Sequence, residues 1–372
     1  MPDRSLIALE CRRNSLRDLR AVEHSLPEPE AGEALLAIEH VGFSANNVSY
    51  AARGEQLHFW RYFPAQDADW GRLPGWGFAT VQTSRAAGLD TGERIYGYFP
   101  LASHVLVRPS DLNAGSFVDG APHRADLEPV YNHYVRCTAD RDWRSELEPL
   151  QALLKPLALQ AYLLDDFLEE EQLFGAQQVL FSSPSSKSAW MTAILLAARA
   201  RTRQGVRLIG MTTAGNLAHV RDLPCYDQVI LGDQVGTLAR VPTLYLDFSG
   251  SAAQRIAVHG YFIDQLEYSC IIGGAQPDMM GSGQFTAGLP GAVPNHFHTA
   301  PRVAKRTQDW GLPELSARFS EAWQRIHQTV NQDRRWMQIE AVRGVSPALA
   351  ALAQAIDGRF DPQRAFMIGL TA

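Results

Sequence analysis

The chain has 372 residues, of which 46% are hydrophobic and 20% charged, and its formal net charge is −6. This length suits two domains, since domains typically hold roughly 100–200 residues, and the composition excludes a largely disordered chain. The negative charge argues against a dedicated nucleic-acid-binding protein, which would carry a basic excess. A small anionic cofactor needs only a local cation and stays compatible with this balance.

Cysteine usage and hydropathy indicate the compartment. The four cysteines, at positions 11, 137, 225 and 270, are far apart and form no CxxC pair, as expected in a reducing compartment. The first residues lack the apolar core of a secretory signal. The longest apolar stretch, 189–200, is too short to span a bilayer. We therefore expect a soluble cytoplasmic protein with no membrane partner.

The chain changes character near residue 150. Before it, short β-type runs alternate with turns at residues 33–43, 74–84, 91–100 and 104–109. Such a pattern predicts a β-rich domain over residues 1–150. A leucine-rich stretch, 143–165, then has helical spacing, although Pro149 and Pro156 interrupt it.

After residue 175 the pattern becomes an alternation of strands and helices. Strands are predicted at 178–182, 206–212, 228–232, 243–250 and 266–274, with helices at 188–201, 216–222 and 252–261. Continuous apolar strands separated by helices predict an α/β fold with a parallel sheet covered on both faces. Such a doubly wound, Rossmann-type sheet is the organisation of dinucleotide-binding domains.

The last hundred residues contain a loop, a helix and a strand. Residues 275–300 are rich in Gly, Pro and Met and predict an irregular loop. Residues 314–330 place apolar side chains on one side, which is typical of an amphipathic helix. Residues 358–370 predict a turn and a closing strand.

The turn after the first parallel strand, SSPSSKS, occupies the position of a phosphate-binding loop but contains no glycine. Serine and alanine are the next smallest residues, and serine adds a hydroxyl donor; Ser183, Ser186 and Ala189 follow one another at spacing three and three. Lys187 lies in the first helical turn, where its charge could meet a phosphate. We therefore predict a dinucleotide contact from the following residues: Ser183, Ser185, Ser186, Lys187 and Ser188.

Other interpretations of this turn are weaker or remain open. A serine-rich helix cap with an exposed lysine is the ordinary alternative. A P-loop is disfavoured because Phe181 and Ser186 stand where GxxxxGK[ST] has glycine. A Ser-Lys dyad of SxxK type fails because Pro184 stands three residues before Lys187.

The ends of the other strands indicate which dinucleotide binds. The second strand ends at Thr212 and Thr213, with Asn216 nearby, where an NAD-binding protein usually carries a carboxylate for the ribose diol. Hydroxyls and an amide tolerate the 2′-phosphate, so we expect NADP(H). Ser249, Gly250 and Gly273 end the fourth and fifth strands and should flank the ribose–nicotinamide half.

The order of these segments resembles the medium-chain dehydrogenase/reductase superfamily in its zinc-free, quinone-reductase-like branch, within a family known by a "domain of unknown function" name. The resemblance rests on the segments AIEHVGFSANNVSYAARGE, LPGWGFATV, GERIYGY, YNHYVR and SSPSSKS. It implies a GroES-like substrate domain over 1–150, a Rossmann-like domain over 151–275, and a segment 276–372 that returns to the substrate domain. It also implies a homodimer.

Departures from the zinc-dependent pattern argue against a metal. Ser44 and the pair Trp76–Gly77 stand where those enzymes carry Cys and His-Glu, and a zinc site needs three or four converging ligands. His296 and His298 are close in sequence but have no third partner. We predict no metal site.

Candidate catalytic residues follow from the resemblance. Asn47 takes a place where reductases of this branch often have a polar residue facing the nicotinamide, and its amide could donate to a substrate carbonyl. Tyr50 could donate a proton. Tyr134 and Tyr131 in YNHYVR are further candidates, and the aromatic run 57–64 could line an apolar pocket or belong to the core.

The leading hypothesis is an NADP(H)-dependent, metal-free oxidoreductase that reduces a quinone or an activated enone or carbonyl compound. Its partner would be a small apolar molecule. The missing glycines motivate two rivals: a non-redox enzyme, such as a hydrolase or carbon–carbon lyase on the same scaffold, and a non-catalytic nucleotide-binding protein.

Overall fold

The structure is a computed structural model that describes residues 5–56, 58–200, 205–272, 288–333, 335–357, 361 and 363–371. The chain forms two compact units. Unit 1 comprises Met1–Leu153 and Gln338–Ala372, and unit 2 comprises Leu154–Met337. The return of the chain to the first unit thus falls at Gln338, whereas the sequence placed it at 276, because the helices between 299 and 332 belong to unit 2.

Strands and helices are numbered in chain order over the described residues. The strands are β1 (Ser5–Arg12), β2 (Ser15–Ser25), β3 (Ala34–Phe43), β4 (Trp70–Arg72), β5 (Pro74–Ser84), β6 (Arg94–Pro100), β7 (His104–Val107), β8 (Pro109–Ser110), β9 (Ser116–Asp119), β10 (His133–Arg136), β11 (Gln178–Ser182), β12 (Arg207–Thr212), β13 (Gln228–Leu231), β14 (Thr243–Asp247), β15 (Leu266–Ile271), β16 (Pro294–His296), β17 (Gln338–Arg343) and β18 (Arg364–Gly369). The α-helices are α1 (Ala45–Ala52), α2 (Glu148–Glu170), α3 (Lys187–Ala200), α4 (Leu217–Asp222), α5 (Ala252–Phe262), α6 (Thr299–Trp310), α7 (Leu312–Gln332) and α8 (Val345–Ile356).

Unit 1 is built from two sheets. A three-stranded sheet has the order β2-β1-β4, and a larger sheet runs β17-β18-β3-β5-β6-β10-β9-β8, with β7 paired to β3. All pairs are antiparallel except β17 with β18. The predicted closing strand is β18, and its neighbour β3 joins it to the N-terminal half of the chain. The β-rich domain expected from the sequence is confirmed.

Unit 2 contains a parallel six-stranded sheet with the order β13-β12-β11-β14-β15-β16. Every residue of the central strands β11 and β14 is buried, as the continuous apolar runs require when helices cover both faces of a sheet. Counted from β11, this is the order 3-2-1-4-5-6 of doubly wound dinucleotide-binding sheets. The predicted fold class is confirmed.

The helices differ from the sequence prediction mainly at α2. Proline was expected to interrupt this helix, yet it continues through Pro156 for 23 residues. Pro149 lies in the first turn, where its missing N–H costs nothing. Pro156 removes one internal hydrogen bond, and the buried Leu153, Leu154 and Leu163 keep the helix packed. The amphipathic helix predicted at 314–330 is α7, with Trp323, which is 1% exposed, on its buried face.

Candidate active site

The switch point of the parallel sheet lies between β11 and β14, the two strands from which the chain winds in opposite directions. In open α/β sheets, ligands bind beyond the carboxyl ends of the strands at this point. Those ends are Ser182 on β11 and Asp247 on β14, whose side chains are hydrogen bonded, Ser182 Oγ donating to Asp247 Oδ1 over 2.9 Å. The turn Ser183–Ser186 follows at the same edge and leads into α3.

This turn adopts glycine-like geometry without glycine. Ser183 has a φ of +48°, in the left-handed region that usually favours glycine. The Ser186 N–H donates to the Ser183 carbonyl over 2.9 Å, which closes the turn directly before the helix. Ser183 therefore takes the conformation that a fingerprint glycine would supply.

The close packing of the turn depends on a glycine in the neighbouring strand. A Cβ placed on Gly210 of β12 would lie 3.2 Å from Pro184 Cβ, so any larger residue would press on Pro184. The Tyr226 hydroxyl donates to the Pro184 carbonyl over 3.0 Å and holds the turn from the other side. Neither residue could be predicted from the sequence, because neither belongs to the segment that they support.

Two groups at the start of α3 lack partners. The Ser186 hydroxyl oxygen is buried and has no hydrogen-bond partner among the described residues. Lys187 forms no ion pair within the described part of the chain, and burial of its ammonium group lowers its pKa to about 8. An unpaired hydroxyl and an unpaired cation at the amino end of a helix are what a bound phosphate requires. These residues fit the pyrophosphate of a dinucleotide.

The other serines of the turn play different parts. Ser185 is buried, and Ser188 is partly exposed. The Ser188 carbonyl accepts a hydrogen bond from the Thr192 hydroxyl one turn later.

Asp247 organises the end of β14. Its carboxylate is 0% exposed, and Oδ1 accepts from the Ser249 N–H (3.2 Å), the Ser249 hydroxyl (3.0 Å) and the Gly250 N–H (2.9 Å). Oδ2 accepts from Arg255 Nε (3.0 Å) and Nη2 (2.7 Å). The buried ion pair fixes Ser249 and Gly250 at the edge where the sequence placed a cofactor contact. Asp247 and Arg255 could not be predicted from the sequence, since a single Asp and an Arg eight residues later form no pattern.

The end of β12 carries the residues predicted to discriminate between NADP and NAD. Thr212 is buried, Thr213 is exposed, and Asn216 is partly exposed just before α4. No carboxylate occupies positions 212–216, so nothing in this stretch repels a 2′-phosphate. Gly273, the remaining predicted cofactor residue, lies outside the described residues.

In unit 1, Asn47 is held by the backbone. It is 6% exposed; its Oδ1 accepts from the Ser44 N–H (2.9 Å), and its Nδ2 donates to the carbonyls of Pro74 (3.0 Å) and Gly42 (3.3 Å). Both amide hydrogens and the oxygen are therefore engaged. These hydrogen bonds hold α1 against the sheet, and donation from Asn47 to a substrate carbonyl stays a prediction.

Tyr134 is also placed away from a ligand. Its ring is 0% exposed and stacks on Phe117 with 5.2 Å between ring centres. Its hydroxyl donates to the Tyr98 carbonyl over 2.9 Å and lies 3.3 Å from Arg124 Nη1. Burial raises its pKa to about 12. These contacts give the Tyr134 hydroxyl a structural task, and its catalytic role stays a prediction.

Tyr50 lies in a group of aromatic rings. It is partly exposed, and its ring centre is 4.7 Å from Phe59, 6.1 Å from Tyr98 and 6.3 Å from Tyr131. We call the set the aromatic cluster; its members are Tyr50, Phe59, Tyr62, Trp76, Tyr98 and Tyr131. Of the run 57–64, Phe59, Trp60, Tyr62 and Phe63 are buried, so most of it belongs to the core.

The histidines and cysteines indicate no metal ligand set. His296 and His298 stack with 6.1 Å between ring centres. Across the described ranges, no group of three His, Cys, Asp or Glu side chains converges for a metal ion. All four cysteines are buried, and none forms a disulfide among the described residues. Nor does any helix among the described residues combine the length and the apolar character that crossing a membrane requires.

One family model matches most of the sequence. Residues 41–361 match the family described as "Protein of unknown function (DUF2855)". Among curated proteins, none matches the sequence significantly.

Solved structures share the fold over nearly the whole chain. One is CurA from Vibrio vulnificus in complex with NADPH (TM-score 0.62, 12% identity, 99% of each chain covered). Another is a proposed NADPH:quinone reductase from Mesorhizobium loti (TM-score 0.60, 14% identity, 99% of each chain covered). A third is a mycobacterial protein complexed with NADPH (TM-score 0.54, 15% identity, 98% of this chain and 99% of that one covered). The resemblance to medium-chain reductases is confirmed as a likeness of fold.

Proposed function

We propose an activity for this chain, which belongs to the family described as "Protein of unknown function (DUF2855)": it is an NADP(H)-dependent oxidoreductase that reduces a quinone or an activated enone or carbonyl compound without a metal. The observation that carries this proposal is the turn Ser183–Ser186 with Lys187, located at the switch point of a parallel sheet in the order 3-2-1-4-5-6. Its unpaired Ser186 hydroxyl and Lys187 ammonium offer two donors to a diphosphate.

Each group of residues at the carboxyl ends of the parallel strands has a proposed task. Ser186 and Lys187 bind the pyrophosphate, with Ser183, Ser185 and Ser188 shaping the turn around it. Thr212, Thr213 and Asn216 accommodate the 2′-phosphate, which supports NADP(H) over NAD(H). Ser249 and Gly250, fixed by Asp247, flank the ribose and nicotinamide. The two NADPH-bound proteins of the same fold support this choice of cofactor.

The bound cofactor supplies a hydride, so the chain must orient the substrate and provide a proton. We assign the proton to Tyr50, because it is a partly exposed phenol among the residues predicted from the sequence and because aromatic rings pack around it. Aromatic side chains around the proton donor favour contact with a planar, uncharged substrate.

The test is NADPH oxidation by the purified protein, followed by loss of NADPH absorbance with a panel of quinones, enones and aldehydes. We expect turnover of at least one compound and a higher melting temperature with NADPH than with NADH. NADPH binding without turnover would identify a non-catalytic nucleotide-binding protein. Turnover of esters or β-dicarbonyls without any cofactor would identify a non-redox enzyme.

The assembly and the domain roles are part of the same proposal. We infer that unit 2 binds the cofactor, that unit 1 binds the substrate, and that the protein is a homodimer. Light scattering should then give a mass near twice that of the 41.2 kDa chain. A mass near that of one chain would contradict the dimer. It would not bear on the proposed cofactor site.

A further inference from the structure

The larger sheet of unit 1 has an open edge at β17. Within the part of the chain that the structure describes, β17 pairs only with β18. The pairing is regular over six residues, without a bulge, and β17 contains no proline. Proteins usually blunt an edge strand with a bulge or proline or cover it with another element, because an open edge pairs readily with an extended segment. The backbone of β17 is therefore suited to accept a further strand.

The hydrogen bonds to β18 determine which backbone groups of β17 face outward. The N–H groups of Gln338 and Gly344 donate to carbonyls at the two ends of β18, over 2.7 Å and 2.9 Å. Backbone groups of successive residues point to opposite sides of a strand, so the even-numbered residues of β17 bond to β18. The N–H and C=O groups of Ile339, Ala341 and Arg343 consequently face the open edge. None of them is hydrogen bonded to another described residue.

A groove of about 470 Å³ lies between β17, β18 and α8, entirely within unit 1. This volume is in the range of ligand-binding pockets, roughly 300–1,000 Å³. The groove is lined by Val342 and Phe366 from the strands and by Pro347, Ala350 and Ala351 from α8. Alternate side chains of a strand added beside β17 would point to the face that α8 covers. Small apolar side chains on that strand would fit among these residues.

The groove also carries a positive charge that no neighbouring carboxylate balances. Glu340 and Arg364 line it and bind each other, with Arg364 Nε donating to Oε1 over 2.7 Å and Nη2 to Oε2 over 2.6 Å. Arg343 lines it as well, is exposed, and forms no ion pair with any residue in the described ranges. Opposite charges that face each other on neighbouring strands attract. An acidic side chain on an added strand would therefore complement Arg343.

We propose that the groove between β17 and α8 binds an extended, acidic segment of a partner protein by β-strand addition. The backbone of the segment hydrogen bonds to the outward groups of β17, its alternate apolar side chains enter the groove, and a Glu or Asp side chain pairs with Arg343. A second copy of β17 fits less well, because its one carboxylate, that of Glu340, is already bound to Arg364. The groove contains none of the residues assigned to the cofactor or to proton transfer, so this proposal does not depend on the proposed function.

The first test measures binding of heptapeptides to the unmodified protein by fluorescence polarisation. Each peptide carries an uncharged dye at its N-terminus and an amide at its C-terminus, valine alternates with threonine, and one threonine is replaced by glutamate. A matched set has glutamine at that position. We expect at least one glutamate peptide to bind about 2- to 5-fold more tightly than its glutamine counterpart at low salt, the range of an exposed ion pair. In Arg343→Gln this difference should disappear.

The variant Ala341→Pro tests the pairing with the strand edge. Proline is tolerated in edge strands, and here it removes one outward N–H. We expect the glutamate peptide to bind roughly 10-fold more weakly, because the peptide carbonyl loses its donor. The control Ala341→Ser keeps the N–H and should bind the peptide like the unmodified protein.

Amide hydrogen exchange followed by NMR gives a measurement that needs no variant. In the unmodified protein without peptide, the N–H groups of Ile339, Ala341 and Arg343 should exchange faster than those of Glu340 and Val342, which bond to β18. Addition of the glutamate peptide should slow exchange of the outward three and leave the other two unchanged.

Failure of every glutamate peptide to bind at millimolar concentration would overturn the proposal, as would equal binding to the unmodified protein and Ala341→Pro. A dimer in light scattering that dissociates in Ala341→Pro would show that a second copy occupies the edge, which also overturns it. Absence of turnover with NADPH would end the proposed function only, and absence of peptide binding would end this proposal only.

Discussion

Pro184 packs against Gly210 of the neighbouring strand so closely that a Cβ at Gly210 would lie 3.2 Å from Pro184 Cβ and 3.3 Å from its Cγ. Phosphate-binding turns usually carry glycine themselves, which lets the helix approach the strand. Here the small residue stands opposite the turn instead of within it. The backbone keeps the shape of a dinucleotide-binding turn, although the turn lacks the glycines of the usual sequence fingerprint.

Gly210→Ala tests this packing. Because proline is rigid, we expect the added methyl to displace the turn and to lower the free energy of unfolding by about 1–3 kcal/mol, as overpacking does. NADPH affinity should fall with it. The matched control is Gly260→Ala in α5, where an added Cβ meets nothing within 4 Å. That variant should be more stable by about 0.5–1 kcal/mol in urea unfolding. Equal effects of the two substitutions would contradict the packing argument.

Substitutions at Ser183 test whether the turn requires its left-handed backbone conformation. Its φ of +48° is strained for a residue with a Cβ, by about 1–2 kcal/mol. Ser183→Gly relieves this strain but loosens the unfolded chain, so we expect a change in stability within about 1 kcal/mol. Ser183→Val, which is β-branched, should be clearly less stable. Urea unfolding measures both, and a stable valine variant would show that the left-handed conformation is not required.

The buried pair Asp247–Arg255 tests what fixes the end of β14. Asp247→Asn leaves the buried Arg255 without its counter-charge, and we expect a loss of about 3–5 kcal/mol in the free energy of unfolding. Adding Arg255→Met removes the unpaired charge and should restore part of that loss. A double-mutant cycle from urea unfolding gives the coupling. Strictly additive effects would show that the two side chains act independently.

The substitution Tyr134→Phe tests whether this phenol stabilises the fold or takes part in the reaction. Its hydroxyl serves the Tyr98 carbonyl and Arg124, so Tyr134→Phe should cost about 1–2 kcal/mol of stability. We expect kcat/KM with NADPH to stay at the level of the unmodified protein at temperatures where the variant is folded. A loss of activity without a loss of stability would show that Tyr134 takes part in the reaction.

Lys187 makes stability depend on pH. Its pKa of about 8 lies below the ordinary 10.5 because burial disfavours the charged form. The unfolded chain therefore binds more protons between these values, and the free energy of unfolding should rise as the pH rises from about 8 towards 10.5. Lys187→Met removes this rise and should be the more stable protein at neutral pH. Thermal unfolding over this range checks the slope, and an unchanged slope in Lys187→Met would refute it.

Much of the fold follows from local pattern. The run 178–182 has three consecutive apolar residues at its centre and forms the central strand β11 with the predicted bounds, because a strand buried on both faces needs no alternation. The hairpin β1–β2 was not predicted, although Leu6, Ala8 and Cys11 of β1 are buried. Pro156 was expected to break α2, and packing of the surrounding leucines outweighed the lost hydrogen bond.

The site is less accessible to sequence reasoning. The serines and Lys187 could be placed because they directly follow a predicted strand. Gly210, Tyr226 and Arg255 act from other strands and loops, and only the three-dimensional contacts connect them to the site. Asn47 and Tyr134 were assigned by resemblance, which indicates a position in the chain but not what occupies the hydrogen-bonding groups of the side chain.

We propose that serine hydroxyls and one lysine bind the diphosphate in place of glycine. Calorimetric titration of NADPH into the unmodified protein and into Lys187→Met at neutral pH tests it most directly. We predict binding to both, with affinity roughly 10- to 100-fold weaker in Lys187→Met, the value of one charged phosphate contact. Equal affinity in the two proteins, or no binding of NADPH to the unmodified protein, would refute this role of the turn.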